Sequence, residues 1–221
     1  MPLSSRQRSG DTFGGIIIDY GHGGMIEGVF QTPGAKQYRF TDRDGLWIGE
    51  GVNNRQIAAR LIELALEHGV RVWDAVAGRK WTTAPHWTEL EQADVSLRRR
   101  VQYTNSVPGA VLLSIHSNAV GDAIEGESIP VRGLRLFTSK GETRSDRIAK
   151  TLNEGLAQHQ ALRVRGEPTE ADFYVLTKTR NSAVLAELGF FTNYNDARYL
   201  MSDEGQQAIA VGLLAGLLPW V

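Results

Sequence analysis

Two histidines and two carboxylates stand at or just beyond the points where short apolar runs of this 221-residue chain give out. Run 16–18 leads into Asp19 and then His22, run 111–115 into His116, and run 183–186 into Glu187. A further carboxylate, Glu50, precedes a helical pattern. Two histidines and one carboxylate are a donor set for zinc with one position left open, and a second carboxylate can serve a water at that position. The chemistry this composition favours is metal-assisted hydrolysis. Cysteine is absent, so no thiolate can contribute, and any such centre must be built from His, Asp or Glu.

Each residue also has a plainer account. His22, between Gly21 and Gly23-Gly24, would ordinarily be a turn residue, since the glycines permit tight backbone turns and close approach. The segment lacks the GxGxxG and Walker patterns of a phosphate loop. His116 alone could be a hydrogen-bonded core histidine, and Glu50 alone a complement to a helix N-terminus. Asp19 reads equally as a strand-end cap or as a carboxylate orienting a ligating histidine. Glu187 is less easily explained away, because Val184, Leu185, Ala186, Leu188 and Phe190 surround it. A carboxylate among these needs a partner: an arginine in a structural role, or a proton and a metal in a catalytic one. Arg98-Arg99-Arg100 reads as a basic patch, for which a solvated helix face is the ordinary account. Trp81 and Trp87 either line a groove or cover the core. His68, His86 and His159 fall away from the strand ends.

The elements that would position these residues alternate between strand and helix, which predicts an α/β fold with a largely parallel sheet. The expected strands are 16–19, 70–73, 111–115, 134–138 and 184–187. Helices are expected over 52–68, 95–105, 145–158 and from 206 onward, the first with Ile57, Leu61, Leu64 and Ala65 along one face. Segments 21–49, 75–92 and 118–133 read as loops. In a parallel sheet, the loops that follow strands gather at the carboxyl edge, where open α/β folds bind ligands. His22, His116 and Glu187 would converge there.

Bulk composition narrows the field. With 42% hydrophobic and 22% charged residues the chain is an ordinary globular one, and its length suits a single core. A net charge of −1 gives no general attraction to nucleic acid or anionic lipid, and neither is expected as a partner. The first 15 residues are polar and lack the apolar stretch of a signal peptide; no segment approaches ~20 apolar residues. Run 208–221 is apolar but carries Gly212, Gly216 and Pro219, and reads as a core helix. The expectation is a monomer made in the cytoplasm without stable membrane association, with a polar segment over 1–15 and one domain over 16–221.

In their order along the chain these stretches resemble the zinc-dependent N-acetylmuramoyl-L-alanine amidases of the amidase 3 type. Residues 16–24, Ile-Ile-Ile-Asp-Tyr-Gly-His-Gly-Gly, look like the family's opening strand and ligand turn; Glu50 with Asn54, Ile57 and Ala58 looks like its second ligand and helix. Leu97, Arg100 and Asn105 resemble the helix before the next strand, and Ser114-Ile115-His116-Ser117-Asn118-Ala119 the third ligand segment. Residues 184–193 resemble the catalytic-glutamate strand with its Gly-Phe tail. Tyr20 and Ser182 depart from the family, which usually places proline there.

The resemblance implies a twisted sheet of about six strands with helices on both faces. It implies one zinc ion on His22, Glu50 and His116, and Glu187 as the catalytic residue. Asp19, Asn118 and Arg100 become supporting or substrate residues. The implied substrate is peptidoglycan, cut between N-acetylmuramic acid and L-alanine. A phage endolysin acting on the wall after release, or a mother-cell enzyme acting at lysis, would suit such a chain. Two other readings stay open: a non-catalytic peptidoglycan-binding module, and a zinc peptidase cutting within the stem peptide. The His-Glu-x-x-His cue of many zinc peptidases is missing.

Overall fold

A computed structural model describes residues 14–32, 34 and 36–221. The polar segment expected over 1–15 therefore lies outside the described residues, save Gly14 and Gly15. Three apolar runs become the centre of one sheet: β1 (Ile16–Tyr20), β8 (Val111–Asn118) and β12 (Ala183–Phe190). Strands covered on both faces read as nearly continuous apolar stretches, which is why these were visible in the sequence. Between β1 and β8 in the chain lie β2 (Met25–Ile26), β3 (Val29–Phe30), β4 (Gln37–Phe40), β5 (Trp47–Gly49), β6 (Val72–Asp74) and β7 (Arg79–Trp81). The remaining strands are β9 (Glu125–Gly126), β10 (Arg135–Thr138) and β11 (Thr169–Glu170).

Seven strands, against about six expected, make the main sheet, in the order β11-β10-β12-β8-β1-β6-β7. Strands β12, β8, β1 and β6 run parallel, while β10 is antiparallel to β12 and β7 to β6. The two edge strands are short, and β7 carries Arg79 and Lys80, features that discourage edge-to-edge pairing.

The helices are α1 (Glu50–Glu67), α2 (Leu97–Asn105), α3 (Arg144–His159), α4 (Tyr174–Thr177), α5 (Tyr194–Met201) and α6 (Asp203–Leu217). Alternation along the strands divides the core. Ile16, Ile18, Tyr20, Leu113 and Val184 face a large cluster with α1, α3 and α6, whereas Ile17, Leu112 and Leu185 face a smaller one with Val101, Val175 and Leu176. Helices therefore cover both faces, as expected. The apolar C-terminal run lies in α6, with Ile209, Leu213 and Leu217 fully buried. No helix among the described residues is long and apolar enough to cross a membrane.

Several expectations change. Glu50 does not precede α1 but is its first residue. Strand β8 runs on to Asn118, so His116 lies within it rather than beyond it. Segment 21–49 is no plain loop: β4 pairs with β5 and also, in parallel, with β9 from segment 118–133. The two segments over the carboxyl edge thus form one three-stranded sheet. Trp81 belongs to the core, its indole Nε1 donating to Asp74 at 3.1 Å.

Arg100 is the largest departure. It is 2% exposed, whereas its neighbours Arg98 and Arg99 are exposed. Its Nη1 donates to Asp19 Oδ1 at 2.9 Å and to the Tyr20 carbonyl at 2.7 Å, and its Nε to the Val95 carbonyl at 2.7 Å. Burial alone would raise the Asp19 carboxyl, but Arg100 and the Ser114 hydroxyl outweigh that and hold it below the usual carboxylate range. Stability drawn from this pair is therefore present at neutral pH and lost as pH falls through the depressed value. Arg100→Met would strand a buried carboxylate, and a loss of roughly 3–5 kcal/mol is expected. Denaturant midpoints at constant slope measure it; a loss below about 1 kcal/mol would show that the pair contributes little.

Candidate metal centre

Strand β1 ends at Tyr20, and the chain turns back through Gly21 and His22. His22 is a non-glycine residue at φ 64°, in the left-handed region, where a side chain costs about 1 kcal/mol unless neighbours hold it. Here they do. The Gly21 N–H donates to the Ile115 carbonyl, the Gly23 N–H to Thr32 Oγ1 and the Gly24 N–H to the Gln92 carbonyl. Gly21 must be glycine, because a Cβ there would sit 2.0 Å from the His116 ring.

Helix α1 presses its first turn directly on this structure: a Cβ on Gly51 would lie 1.9 Å from the Gly23 carbonyl oxygen. Asn54 Nδ2 donates to the Gly21 carbonyl at 3.2 Å, while its Oδ1 accepts from Ser117 Oγ at 3.3 Å. Fully buried Arg55 completes the clamp. Its Nη1 donates to the carbonyls of His22 at 2.9 Å and Gly51 at 2.7 Å, and its Nε and Nη2 both reach the Glu91 carbonyl. Sequence reasoning gave Asn54 no role of its own and passed over Arg55. The available signal was that Arg55 shares a helical stripe with Ala58, Ala59 and Ile62, all buried.

Three side chains meet at this junction. His116 Nδ1 lies 3.0 Å from Glu50 Oε1, and His22 Nε2 3.3 Å from Glu50 Oε2. The two imidazoles stand edge to face, with centroids 5.1 Å apart. Donor atoms of His22, Glu50 and His116 all fall within 4.8 Å of one another. Ligands held about 2.0–2.2 Å from a tetrahedral zinc are separated by roughly 3.3–3.6 Å, so these spacings suit one small cation. Glu50 Oε2 is enclosed and makes no hydrogen bond, leaving an anionic oxygen for such an ion. The residues present fit the metal.

Electrostatics agree. Burial would raise the Glu50 carboxyl, but the hydrogen bond to His116 and the close approach of His22 outweigh it and hold Glu50 well below the usual carboxylate range. Its place on the first turn of α1 adds the helix's positive end. Burial opposes charge on His116, yet its hydrogen bond to Glu50 and the charges of Glu50, Glu187 and Asp19 raise its affinity for a proton. A cation seated there would take that proton's place. Lys36 Nζ, on a partly exposed side chain, approaches Glu50 Oε2 at 3.7 Å, a neighbour that sequence reasoning did not name.

Glu187 is the register partner of His116 on the adjacent strand. Burial pushes its carboxyl up to about 7, with Glu50 raising it further and His116 and Lys36 pulling it down. Its Oε2 is enclosed without a hydrogen-bond partner. No ion pair among the described residues joins it to an arginine, which removes its structural account.

The three supporting residues divide. Both oxygens of Asp19 are taken, by Arg100 and Ser114, so it acts on His116 by charge and by anchoring β1 to β8 rather than by a hydrogen bond to the ring. Asn118 closes the end of β8: its Oδ1 accepts from the Ala119 N–H and its carbonyl from the Phe191 N–H. Arg100 serves Asp19. Trp87 packs partly on the core and lines a 280 Å³ hollow beside α1 with Arg60 and Asp203, rather than the cleft.

A family model described as N-acetylmuramoyl-L-alanine amidase matches residues 16–218. The protein YqiI of Bacillus subtilis (strain 168), described as uncharacterized, is 33% identical over 203 residues, 91% of this chain and 82% of that protein. N-acetylmuramoyl-L-alanine amidase CwlM of Bacillus licheniformis is 36% identical over 124 residues, 56% of this chain but only 45% of that protein. A crystal structure of an N-acetylmuramoyl-L-alanine amidase from Clostridium difficile 630 superposes with a TM-score of 0.71 at 23% identity, covering 95% of this chain and 97% of the other. At that identity the likeness shows the fold.

Proposed function

Because the chain belongs to the N-acetylmuramoyl-L-alanine amidase family of the amidase 3 type, we propose that it hydrolyses the amide between N-acetylmuramic acid and L-alanine in peptidoglycan, with one zinc ion held by His22, Glu50 and His116. The observation that carries this reading is the meeting of those three donors beside Glu187, a half-enclosed carboxylate with an unpartnered oxygen. Zinc there would lend Lewis acidity to the amide carbonyl and to the attacking water.

The remaining work falls to the chain. Glu187 takes a proton from the water as it attacks the lactyl carbonyl carbon, and gives one to the L-alanine nitrogen as the C–N bond breaks. Its raised proton affinity suits both halves of that exchange, since a group titrating near working pH can accept and return a proton. Asn54 and Arg55 hold the His22 turn on α1, and the Arg100–Asp19 pair holds β1 beside β8. No serine or cysteine nucleophile is required.

Purified protein incubated with peptidoglycan tests the reading. Mass spectrometry should find stem peptides beginning with a free L-alanine amine and glycan with intact lactyl carboxylates, together with about one zinc per chain. Fragments cut inside the stem would mean a peptidase, and retention on sacculi without release a binding module. A monomer acting at the wall in the manner of an endolysin completes the proposal. Light scattering checks the first part, and lysis of permeabilised host cells the second.

A further inference from the structure

Glu187 has neighbours on both sides in the sheet. Toward β8 its register partner is His116; toward β10 it is Arg135, directly opposite in the antiparallel pair. Residues opposite one another share a face, so Arg135, Glu187 and His116 form one row across three strands. Their common face is that of Leu185 and Leu112, which pack in the smaller core cluster below them.

Arginine and glutamate side by side would ordinarily pair, yet these two do not. Glu187 Oε2 and Arg135 Nε are each enclosed and each without a hydrogen-bond partner. Arg135 Nη2 donates only to the Arg165 carbonyl, at 3.2 Å. The Arg165 guanidinium lies over the Phe190 ring, 5.1 Å from its centre. Arg132 and Arg163 flank the same strand end, where Leu134 bridges to Val164. None of these four arginines takes part in an ion pair among the described residues. The buried carboxylate of Asp196 gives Oδ2 to the N–H groups of Gly133 and Phe190 and feels the charges of Arg132 and Arg165, but Arg135 is not among its partners.

We propose that Arg135, backed by Arg165, is a subsite for a substrate carboxylate on the peptide side of the scissile amide. The proposal rests on the amidase reading. It follows from what the substrate can offer: the lactyl carboxyl is consumed in the amide and the glycan is otherwise neutral, so the fixed anions lie on the peptide. The first of them beyond the cleaved bond is the α-carboxylate of a γ-linked glutamate at the second stem residue. Adjacent strands are about 4.8 Å apart, and two extended residues span roughly 7 Å. An arginine one strand beyond Glu187 therefore stands at the right distance for that group. A planar guanidinium whose Nε has no acceptor in the protein is suited to capture of a carboxylate.

Two muramoyl tetrapeptides that differ only at the second residue, one with the free α-carboxylate and one with its carboxamide, test this. The wild-type protein should favour the carboxylate by roughly tenfold or more in kcat/KM, through KM, as expected when a charge-assisted hydrogen bond is lost. Arg135→Gln should bring that ratio close to 1, and Arg135→Lys should keep part of it. If Arg135→Gln folds poorly, the wild-type ratio and its decline in salt carry the test alone. A wild-type ratio near 1, or a ratio unchanged in Arg135→Gln, overturns the subsite. Failure to cut either substrate would instead overturn the amidase reading beneath it.

Discussion

Glu187→Gln is expected to lower turnover by about 10²–10⁴-fold, the range that general acid–base catalysis supplies, while leaving the fold and metal content intact. Glutamine keeps the shape of the side chain and removes the proton traffic. It also relieves a cost, because one oxygen of Glu187 is enclosed near Glu50 with no donor to satisfy it. Folded-state proton affinity is raised here. The group's favourable contribution to stability is thus fully present below its unfolded pKa and is lost as pH rises through the folded value near 7. The variant should be at least as stable as the parent at pH 8, and thermal melting checks this. Activity has the opposite dependence, since the base must be ionised. It should rise with pH along an acid limb at or below about 7, because a cation among His22, Glu50 and His116 would pull Glu187 down from its present value. Substantial turnover by Glu187→Gln, or an acid limb unchanged in its residual activity, would refute the assignment.

His116→Ala should abolish zinc retention and activity together, and chelation of the unaltered protein should reproduce the loss. The comparison with Glu187→Gln is informative, because one variant loses chemistry with metal in place and the other loses the metal. Binding to the folded chain alone adds stability of about 4 kcal/mol when free metal exceeds its dissociation constant a thousandfold. Chelation should therefore lower the melting temperature of the wild type but not of His116→Ala. The chelated protein should remain folded, as its core clusters do not depend on the site. Zinc should restore activity to the wild type alone. A chelated protein that keeps full turnover would exclude the metal from the reaction.

Legibility in the sequence followed burial. Strands β1, β8 and β12 were readable because both faces are covered and their residues are apolar almost without interruption. Helices α1, α3 and α6 were readable because they bury one broad stripe. The polar tail of β8 was not, since His116, Ser117 and Asn118 look like a loop until their sheet partners are known. Strands of two residues, such as β2, β3, β9 and β11, are too short for any period to register. His22, Glu50 and His116, singled out from residue type, position and the family resemblance together, are brought to one place by the fold. Arg55 resisted, and Arg100 was singled out only through the family resemblance, for one shared reason. Arginine on a helix is normally solvated, and nothing in a linear pattern shows that carbonyls of His22, Glu91 and Val95 wait to receive it. The start of α1 was placed two residues late, so that Glu50 fell outside the helix, because glycine on either side of Glu50 hides it.

The small sheet above the cleft joins two parts of the chain that grow out of different strands, β4 from the segment after His22 and β9 from the segment after Asn118. Tyr38 adds a tie, its hydroxyl donating to the Glu127 carbonyl at 2.8 Å. These two stretches are therefore a single exchangeable unit. A chimaera that imports one of them from a relative inherits an unpaired strand edge and a mismatched register, whereas one that imports both keeps the ladder closed. Efforts to retarget the enzyme to another wall should move residues 25–49 and 119–133 together, leaving the metal donors and the sheet beneath them untouched.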